Sequence, residues 1–199
     1  MSAEAANEEI VFIRGRSLVL RPFLERDFSE AYMAWLNDPE VNAYSQRRPF
    51  PVNWSGMRSH FEHHNAHPDK GYLLAMLAGE ERRLIGSVAL VNHQPVHRCA
   101  ELAILIGDRS AWGRGYGTEA LYLLAKHAFL YLNLHKVFAG TFNPSFIRCC
   151  EKLGWTKEGV FRERIWSNGR FHDQTWLSIL AQDFRDDPRY EPRPESRAG

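Results

Sequence analysis

The sequence predicts a single α/β domain in which helices flank a twisted, mixed and mostly antiparallel sheet. A length of 199 residues, 44% of them hydrophobic, suits one globular domain with a sizeable core. Short apolar runs, which are typical of strands, stand on both sides of a strand–glycine turn–helix unit in the middle of the chain. Neither a Gly/Ser linker nor an internal repeat divides the sequence, so we expect one sheet rather than two domains.

Strands are predicted where apolar runs lie between turn residues, and helices where apolar residues recur at helical spacing. The first helix is predicted to begin after a cap at Asp27 or Ser29 and to end before residues 37–41. The later helices are predicted over residues 52–64, 118 to about 132, and 146–153. The predicted strands span residues 17–22, 72–77, 84–91, 101–107, 136–142, 159–166 and 175–180.

The two ends of the chain differ in composition from the part between them. Residues 1–9 are predicted to form a flexible leader and residues 10–185 the folded domain. Residues 186–199, with three prolines among charged residues, are predicted to form a flexible tail. We therefore expect the chemistry to lie within residues 10–185.

Overall composition argues against several classes of partner. The formal net charge is +1 with 25% charged residues, so no overall field favours nucleic acid or a membrane surface. Three cysteines form no disulfide framework, and neither a secretory signal nor an apolar run of about 18 residues is found. We therefore expect a cytoplasmic protein with reduced thiols.

The glycine-rich string AWGRGYGT, residues 111–118, follows a predicted apolar strand and opens a predicted helix. The first N–H groups of a helix lack intrahelical partners and the helix dipole adds positive potential, so this arrangement favours a bound phosphate. Arg114 can add a charge-assisted contact. A tight turn without a ligand is the alternative. The string is not a P-loop, because no Lys-Ser/Thr follows its last glycine, and not a Rossmann fingerprint, because Thr118 stands where the third glycine belongs.

WGRGYG, residues 112–117, resembles the acetyl-CoA pyrophosphate loop of the GNAT acetyltransferase superfamily, whose pattern is Gln/Arg-x-x-Gly-x-Gly/Ala. Gly115 and Gly117 match its glycines, and Trp112 replaces the usual Gln or Arg. Three further strings, SLVLRPFLERDFSEAYMAWLNDPEV, LNLHKV and NPSFIRCCEKLGW, follow the order of the RimJ/RimL branch and extend the resemblance over about residues 16–183. The resemblance implies a GNAT fold with a splayed parallel central strand pair, and acetyl-CoA as co-substrate.

In this family the pantetheine arm of the cofactor lies between the splayed strands and pairs with backbone groups. The resemblance places 105–107 (Leu105, Ile106 and Gly107) at that gap, and Asn143 matches the asparagine that binds the arm. Arg148 is predicted either to face the cofactor phosphates or to lie on a solvated helix face. The loop residues predicted to contact the cofactor are Trp112, Gly113, Arg114, Gly115, Tyr116, Gly117 and Thr118.

Acetyl transfer needs a neutral amine, so a group must take a proton from the ammonium form. Glu101 is predicted to be that base, because it is a charge at the start of an apolar strand and some GNAT enzymes hold their base at this distance before the loop. The alternative is a strand-end carboxylate in water or paired with Arg98. Cys150 stands where the family usually has the tyrosine that protonates the departing thiolate. Cys150 could donate that proton, but a buried packing cysteine is the favoured interpretation.

No metal is predicted. His60, His63, His64 and His67 recur at helical spacing, but no carboxylate–histidine signature accompanies them, and their segment is predicted to border the acceptor pocket. His172 is predicted to pin the last strands, with acceptor contact as the alternative.

The predicted reaction moves the acetyl group of acetyl-CoA onto a primary amine by direct attack in a ternary complex. The acceptor is predicted to be a small-molecule or peptide amine, such as a protein N-terminus or an aminosugar nucleotide, and the scarcity of clustered acids disfavours polyamines. An acyl-CoA-binding module without turnover is the alternative, because Trp112 and Cys150 depart from the family pattern. No nucleic acid or membrane partner is expected, and the protein is predicted to be a monomer or a homodimer.

Overall fold

The computed structural model describes residues 10–46 and 48–192, without the side chains of residues 63–65. Strands stand on both sides of a central strand–turn–helix unit, as the sequence predicts. The strands are β1 (Ile13–Arg14), β2 (Leu18–Pro22), β3 (Tyr72–Ala78), β4 (Arg83–Gln94), β5 (Cys99–Ile106), β6 (Lys136–Thr141), β7 (Thr156–Ser167) and β8 (Arg170–Leu180). The helices are α1 (Glu30–Asn37), α2 (Trp54–Ala66), α3 (Tyr116–Leu130) and α4 (Pro144–Lys152).

The strands form one sheet in the order β1-β2-β3-β4-β5-β6-β8-β7. Every neighbouring pair in the described chain is antiparallel except β5 and β6, which run parallel. The connection between these two strands contains α3, as a parallel crossover requires. The predicted mixed, mostly antiparallel α/β sheet with a parallel central pair is confirmed. Strand β1 was not predicted, because two residues are too short to show a pattern.

The helices cover both faces of the sheet. Along β3 the side chains alternate, so that Leu74 and Met76 join the large core beneath α3, whereas Ala75 packs with Phe23 and Tyr32 on the side of α1 and α2. Helix α3 is buried over most of its circumference, which explains why apolar residues occur on nearly every side of it. None of the helices in residues 10–46 and 48–192 is both long and apolar enough to cross a membrane.

Helix α1 begins at a serine cap. The Ser29 hydroxyl accepts a hydrogen bond from the Tyr32 N–H at 3.2 Å, so Ser29 rather than Asp27 is the cap. Asp27 instead binds the buried Arg21 guanidinium at 2.5 and 2.8 Å and accepts the Leu24 N–H at 2.7 Å. Both members of this ion pair are almost fully buried, so removing either would leave an uncompensated charge. The pair anchors the segment between β2 and α1.

The chain after β8 folds back onto α3. The Tyr122 hydroxyl donates to Glu191 at 2.5 Å and accepts the Asp187 N–H at 2.9 Å, and Lys126 lies 2.6 Å from Glu191. The Tyr190 ring packs 4.9 Å from the Tyr122 ring. Ordered packing therefore continues to Glu191, past the predicted start of the tail at residue 186. Residues 1–9 and 193–199 lie outside the described residues, and the domain bounds stay a prediction.

Candidate active site

The parallel pair β5–β6 comes apart partway along its length. The two strands pair at Cys99 and Lys136, at Ala100 and Val137, and last at Glu101 and Phe138. Beyond that rung β5 continues to Ile106 and β6 to Thr141 without pairing with each other. Each strand keeps its outer neighbour, since β4 pairs with β5 as far as Ile106 and β8 pairs with β6 as far as Thr141. A gap with backbone groups on both walls therefore opens next to Glu101.

A cleft of about 350 Å³ occupies this gap. Residues 102–105 of β5 and 139–141 of β6 line it, together with Asn143 and Phe146 at the start of α4. The other half of the lining comes from α1, α2 and the segments before them and is mostly apolar: Phe23, Phe28, Tyr32, Leu36, Val41, Val52, Met57 and Phe61. The cleft thus has a backbone-walled half and an apolar half, with Glu101 where they meet.

The glycine loop lies at the end of β5. The Trp112 indole N–H donates to the Ile106 carbonyl at 2.8 Å, which ties the loop to the last residue of the strand. Gly113 and Gly115 have φ angles of 74° and 86°, a region that favours glycine, and a Cβ added at either would meet no atom within 4 Å. The loop backbone is therefore open on the side where side chains would otherwise stand.

Helix α3 begins at Tyr116, directly after this loop, and no side chain caps it. The N–H groups of its first turn, from Tyr116 to Thr118, point toward the loop and carry the positive end of the helix dipole. Arg114 is exposed beside them, whereas Tyr116 and Gly117 are partly buried and Thr118 is buried. Uncapped N–H groups, an open backbone and an arginine together can bind a phosphate group.

A glutamate in the same first turn faces away from the loop. Glu119 is buried, and its carboxylate accepts the Ser17 N–H at 2.8 Å, the Leu18 N–H at 3.0 Å and the Ser17 hydroxyl. This carboxylate fixes the start of α3 to β2 and keeps its negative charge directed into the sheet. Glu119 was not predicted as a site residue, although its charge within the apolar string EALYLLA is a signal in the sequence.

Two of the predicted site glycines pack against neighbouring side chains, Gly107 much more closely than Gly117. A Cβ at Gly107 would lie 2.2 Å from the Trp35 ring, so α1 packs directly on this backbone. A Cβ at Gly117 would lie 3.5 Å from Ile106 Cδ1 and 3.7 Å from Cys149 Sγ, which is ordinary contact. Packing of Trp35 is therefore the structural reason for glycine at 107. Leu105, by contrast, lines the cleft.

Glu101 is the last residue of β5 that pairs with β6, and it lines the cleft. The Asn92 amide donates to Glu101 Oε2 at 2.7 Å. Arg98, the alternative partner considered from the sequence, instead donates to the backbone and side-chain oxygens of Asn133 at 2.9 and 2.8 Å. Among the cleft-lining residues that the structure describes, Glu101 is the only carboxylate. Asn92 was not predicted from the sequence as a partner of Glu101.

Asn143 caps α4 and Arg148 lies on it, on the β6 side of the cleft. The Asn143 carboxamide oxygen caps this helix by accepting the Ser145 N–H at 2.9 Å, so its amide N–H groups are what it can offer to a ligand. Arg148 is exposed and donates to the Ser145 hydroxyl at 2.9 Å. Asn143 lines the cleft, and Arg148 does not.

Cys150 lies in the core rather than in the cleft. Its side chain has no exposed surface and belongs to the large hydrophobic cluster beneath the sheet. Burial raises the pKa of its thiol well above the ordinary value. Its carbonyl accepts the Leu153 and Trp155 N–H groups at the end of α4. These contacts are those of a packing residue.

The histidines considered from the sequence lie in different parts of the structure. His60 lines the cleft and His67 is exposed, while the side chains at 63 and 64 lie outside the described residues. No group of three or more His, Cys, Asp or Glu side chains that could hold a metal occurs in the described part of the chain. His172 donates to the Ser167 carbonyl at 3.1 Å and packs 5.4 Å from Phe142, so it joins the β7–β8 turn to the end of β6.

Comparisons with known proteins point to one family. Residues 17–156 match the family model described as "Acetyltransferase (GNAT) domain". The "Probable N-acetyltransferase YjcK" of Bacillus subtilis is 35% identical over 120 residues, 58% of this chain and 65% of that protein. The spermidine N(1)-acetyltransferase of Vibrio cholerae is 30% identical over 106 residues, 52% of this chain and 61% of that protein. The matches thus span less than two thirds of these relatives.

Solved structures share the fold. The crystal structure of spermidine N-acetyltransferase from Vibrio cholerae in complex with CoA and spermine superposes with a TM-score of 0.76 at 24% identity, over 84% of this chain and 97% of that one. The GNAT-family acetyltransferase from Bacillus anthracis gives a TM-score of 0.70 at 23% identity, over 86% and 99%. The family match, the shared sheet and the splayed central pair agree: the chain belongs to the GNAT acetyltransferase family.

Proposed function

We propose that the protein is an acetyl-CoA-dependent N-acetyltransferase that acts on a primary amine by direct attack in a ternary complex. The observation that carries this proposal is the path along the unpaired backbone of β5 and β6, which opens beyond Glu101 toward the end of β5 from which the glycine loop follows. A parallel pair without a ligand would gain hydrogen bonds by pairing to its end. The open pair is instead suited to a long, thin ligand that supplies those bonds.

The residues present fit acetyl-CoA along this whole path. The uncapped N-terminus of α3, the open backbone at Gly113 and Gly115, and Arg114 would hold the pyrophosphate. Backbone groups of residues 105–107 and the Asn143 amide would hold the pantetheine arm. Trp112 would fix the loop to Ile106. Arg148 would either contact a cofactor phosphate or remain a solvated side chain.

Within this site Glu101 would take the proton from the ammonium form of the acceptor. It stands at the closed end of the gap, where the acetyl end of a cofactor bound by its pyrophosphate at the loop would lie, and no other carboxylate lines the cleft in the described chain. The Asn92 amide holds the carboxylate in place. The neutral amine would then attack the thioester carbonyl to give a tetrahedral intermediate. Breaking its C–S bond would form the amide and the CoA thiolate, which would take a proton from solvent and leave as free CoA. Cys150 has no access to this step and is proposed as a packing residue.

We also propose that the protein belongs to the RimJ/RimL branch, on the strength of its four ordered motifs. The predicted domain bounds of 10–185, the cytoplasmic location, and the monomeric or homodimeric state remain parts of the proposal. The three cysteines, none of them in a disulfide, support the location. The acceptor would be a protein N-terminus, an aminosugar nucleotide or another small amine.

Release of free CoA thiol in the presence of an amine tests the proposal. The purified chain is mixed with acetyl-CoA, with and without a panel of peptides, aminosugar nucleotides and simple amines, and thiol is measured over time. The proposal predicts thiol release that depends on an amine. A chain that binds acetyl-CoA but releases no thiol with any amine would instead be a binding module, the second candidate.

A further inference from the structure

The half of the cleft that would receive the acceptor is apolar and aromatic. Phe23, Phe28, Tyr32 and Phe61 form one ring cluster there, with centroid separations from 4.6 to 6.4 Å. Aliphatic side chains of α1 and of the segment before α2 add to this wall, and the polar side chains in the lining of this half carry no negative charge: Asn42, Ser45, His60 and Ser87. A surface of this kind gains free energy by covering apolar groups. Its rings attract a cation by only about 0.5–2 kcal/mol, which is less than the cost of burying an unpaired charge.

Three acidic residues in the segments around this half of the cleft are bound to arginines, and none of them lines it. Asp38 lies 2.5 Å from Arg109, which also binds Glu40, and Glu25 lies 2.7 Å from Arg58. Glu101 is therefore the one carboxylate that the described part of the cleft can offer an ammonium group. The cleft has a place for one positive charge.

We infer that the acceptor carries a single positive charge, on the amine that reacts, and that its substituent is apolar or aromatic. This inference rests on the proposed function and names its substrate class. A second ammonium group on the acceptor would have to lie against aromatic and aliphatic side chains without a carboxylate, which is unfavourable for a charge that loses its water. A polyamine is for that reason a poor acceptor, although one relative of this chain acts on spermidine.

Two acceptors that differ only in the second charge give the sharpest test. Hexylamine and 1,6-diaminohexane have the same length, and their primary amines have similar pKa values of about 10. The kcat/KM for thiol release, corrected for the two equivalent amines of the diamine, is measured for both at one pH. We expect hexylamine to be the better acceptor by about 10-fold or more, because discrimination against an unpaired buried charge is of that order or larger.

A variant that supplies a second carboxylate tests the cause. Tyr44 lines the mouth of the cleft, is 46% exposed, and lies beside Phe142, so its replacement is compatible with folding. Tyr44→Glu should improve the diamine relative to hexylamine by about 5-fold, the order expected for a partly exposed ion pair. Tyr44→Gln, which is similar in size and uncharged, should leave the ratio of the two amines as it is in the parent.

Binding to the protein–CoA complex, measured by calorimetry, separates this inference from the proposed function. Tighter binding of hexylamine than of the diamine supports the inference, whatever the rate of turnover. Equal or better kcat/KM and binding for the diamine would overturn the inference, and thiol release with that diamine would leave the proposed function intact. An equal ratio of the kcat/KM values for the diamine and hexylamine in Tyr44→Glu and Tyr44→Gln would overturn the electrostatic explanation.

Discussion

Replacing Glu101 with glutamine removes a proton acceptor and changes little else. The glutamine oxygen can still accept the Asn92 amide hydrogen bond, which is 2.7 Å long in the parent. The side chain is only partly buried, so we expect the free energy of unfolding to change by less than about 1 kcal/mol. An effect on turnover would therefore not come from unfolding.

The size of the expected rate loss follows from the groups that remain in the cleft of Glu101→Gln. No other carboxylate lines it in the described residues, and the His60 imidazole, which also lines it, is the one other side chain there that ordinarily acts as a base. Loss of a general base typically lowers a rate by about 10²–10⁴-fold. Because a water molecule can also accept the proton, we expect the lower end, about 10²-fold in kcat or about 2.7 kcal/mol of transition-state stabilisation. The Kd for acetyl-CoA should stay within about 2-fold of the parent value.

The assay is amine-dependent thiol release at two pH values. An alkyl amine with a pKa of about 10 is about 10²-fold more neutral at pH 9 than at pH 7, so alkaline solution supplies the nucleophile that the variant cannot generate. The rate deficit of Glu101→Gln should therefore shrink as the pH rises. Glu80→Gln, at an exposed turn between β3 and β4, is the matched control and should behave as the parent. Equal rates for Glu101→Gln and the parent at both pH values would refute the role of Glu101.

Three further predictions concern the glycine loop, the buried thiol and a buried histidine. Gly115→Val should raise the Kd for acetyl-CoA by about 10-fold or more, because a side chain at φ 86° would occupy the open face of the loop. Cys150→Ala should keep kcat within about 3-fold and lower the free energy of unfolding by about 1 kcal/mol, because the thiol only packs. His127 packs 4.8 Å from the Phe12 ring, and burial lowers its pKa. The unfolded chain therefore binds a proton there more strongly, and stability should fall as the pH drops below about 6.5, an effect that His127→Phe should reduce in denaturation curves.

Each of these predictions has a control or a contrary result. Gly79→Val has a similar φ, 79°, and open space at a remote turn, so it reproduces the backbone strain and should keep acetyl-CoA affinity. A loss of 10²-fold or more in kcat for Cys150→Ala would make the thiol a proton donor. An identical dependence of stability on pH in the parent and His127→Phe would show that this histidine titrates equally in the folded and unfolded chains.

Local signals in the sequence predicted the elements that build the site. The apolar run of β5, the glycines after it and the helix that follows lie together along the chain, so their order alone predicts a strand, a turn and a helix. The opening between β5 and β6 came from the family resemblance, and the end of the ladder at Glu101 confirms it.

Long-range contacts could not be predicted from the sequence. The Asn92–Glu101 hydrogen bond depends on an irregular register between β4 and β5, and Glu119 binds Ser17 across 102 positions. Asp27 and Ser29 are equally good caps by residue type, and only the buried Arg21 decides between them. The residues around Tyr190 have the composition of a flexible tail, but the Tyr190 ring packs on the Tyr122 ring of α3.

A crystal structure of the chain with acetyl-CoA is the most direct test of the claim that the open strand pair is the cofactor site. We expect the pantetheine arm between residues 102–106 of β5 and 139–141 of β6, the pyrophosphate on the N–H groups of residues 113–118, and the acetyl carbon within reach of an amine held at Glu101. A cofactor bound elsewhere, with β5 and β6 still apart and nothing between them, would contradict the claim.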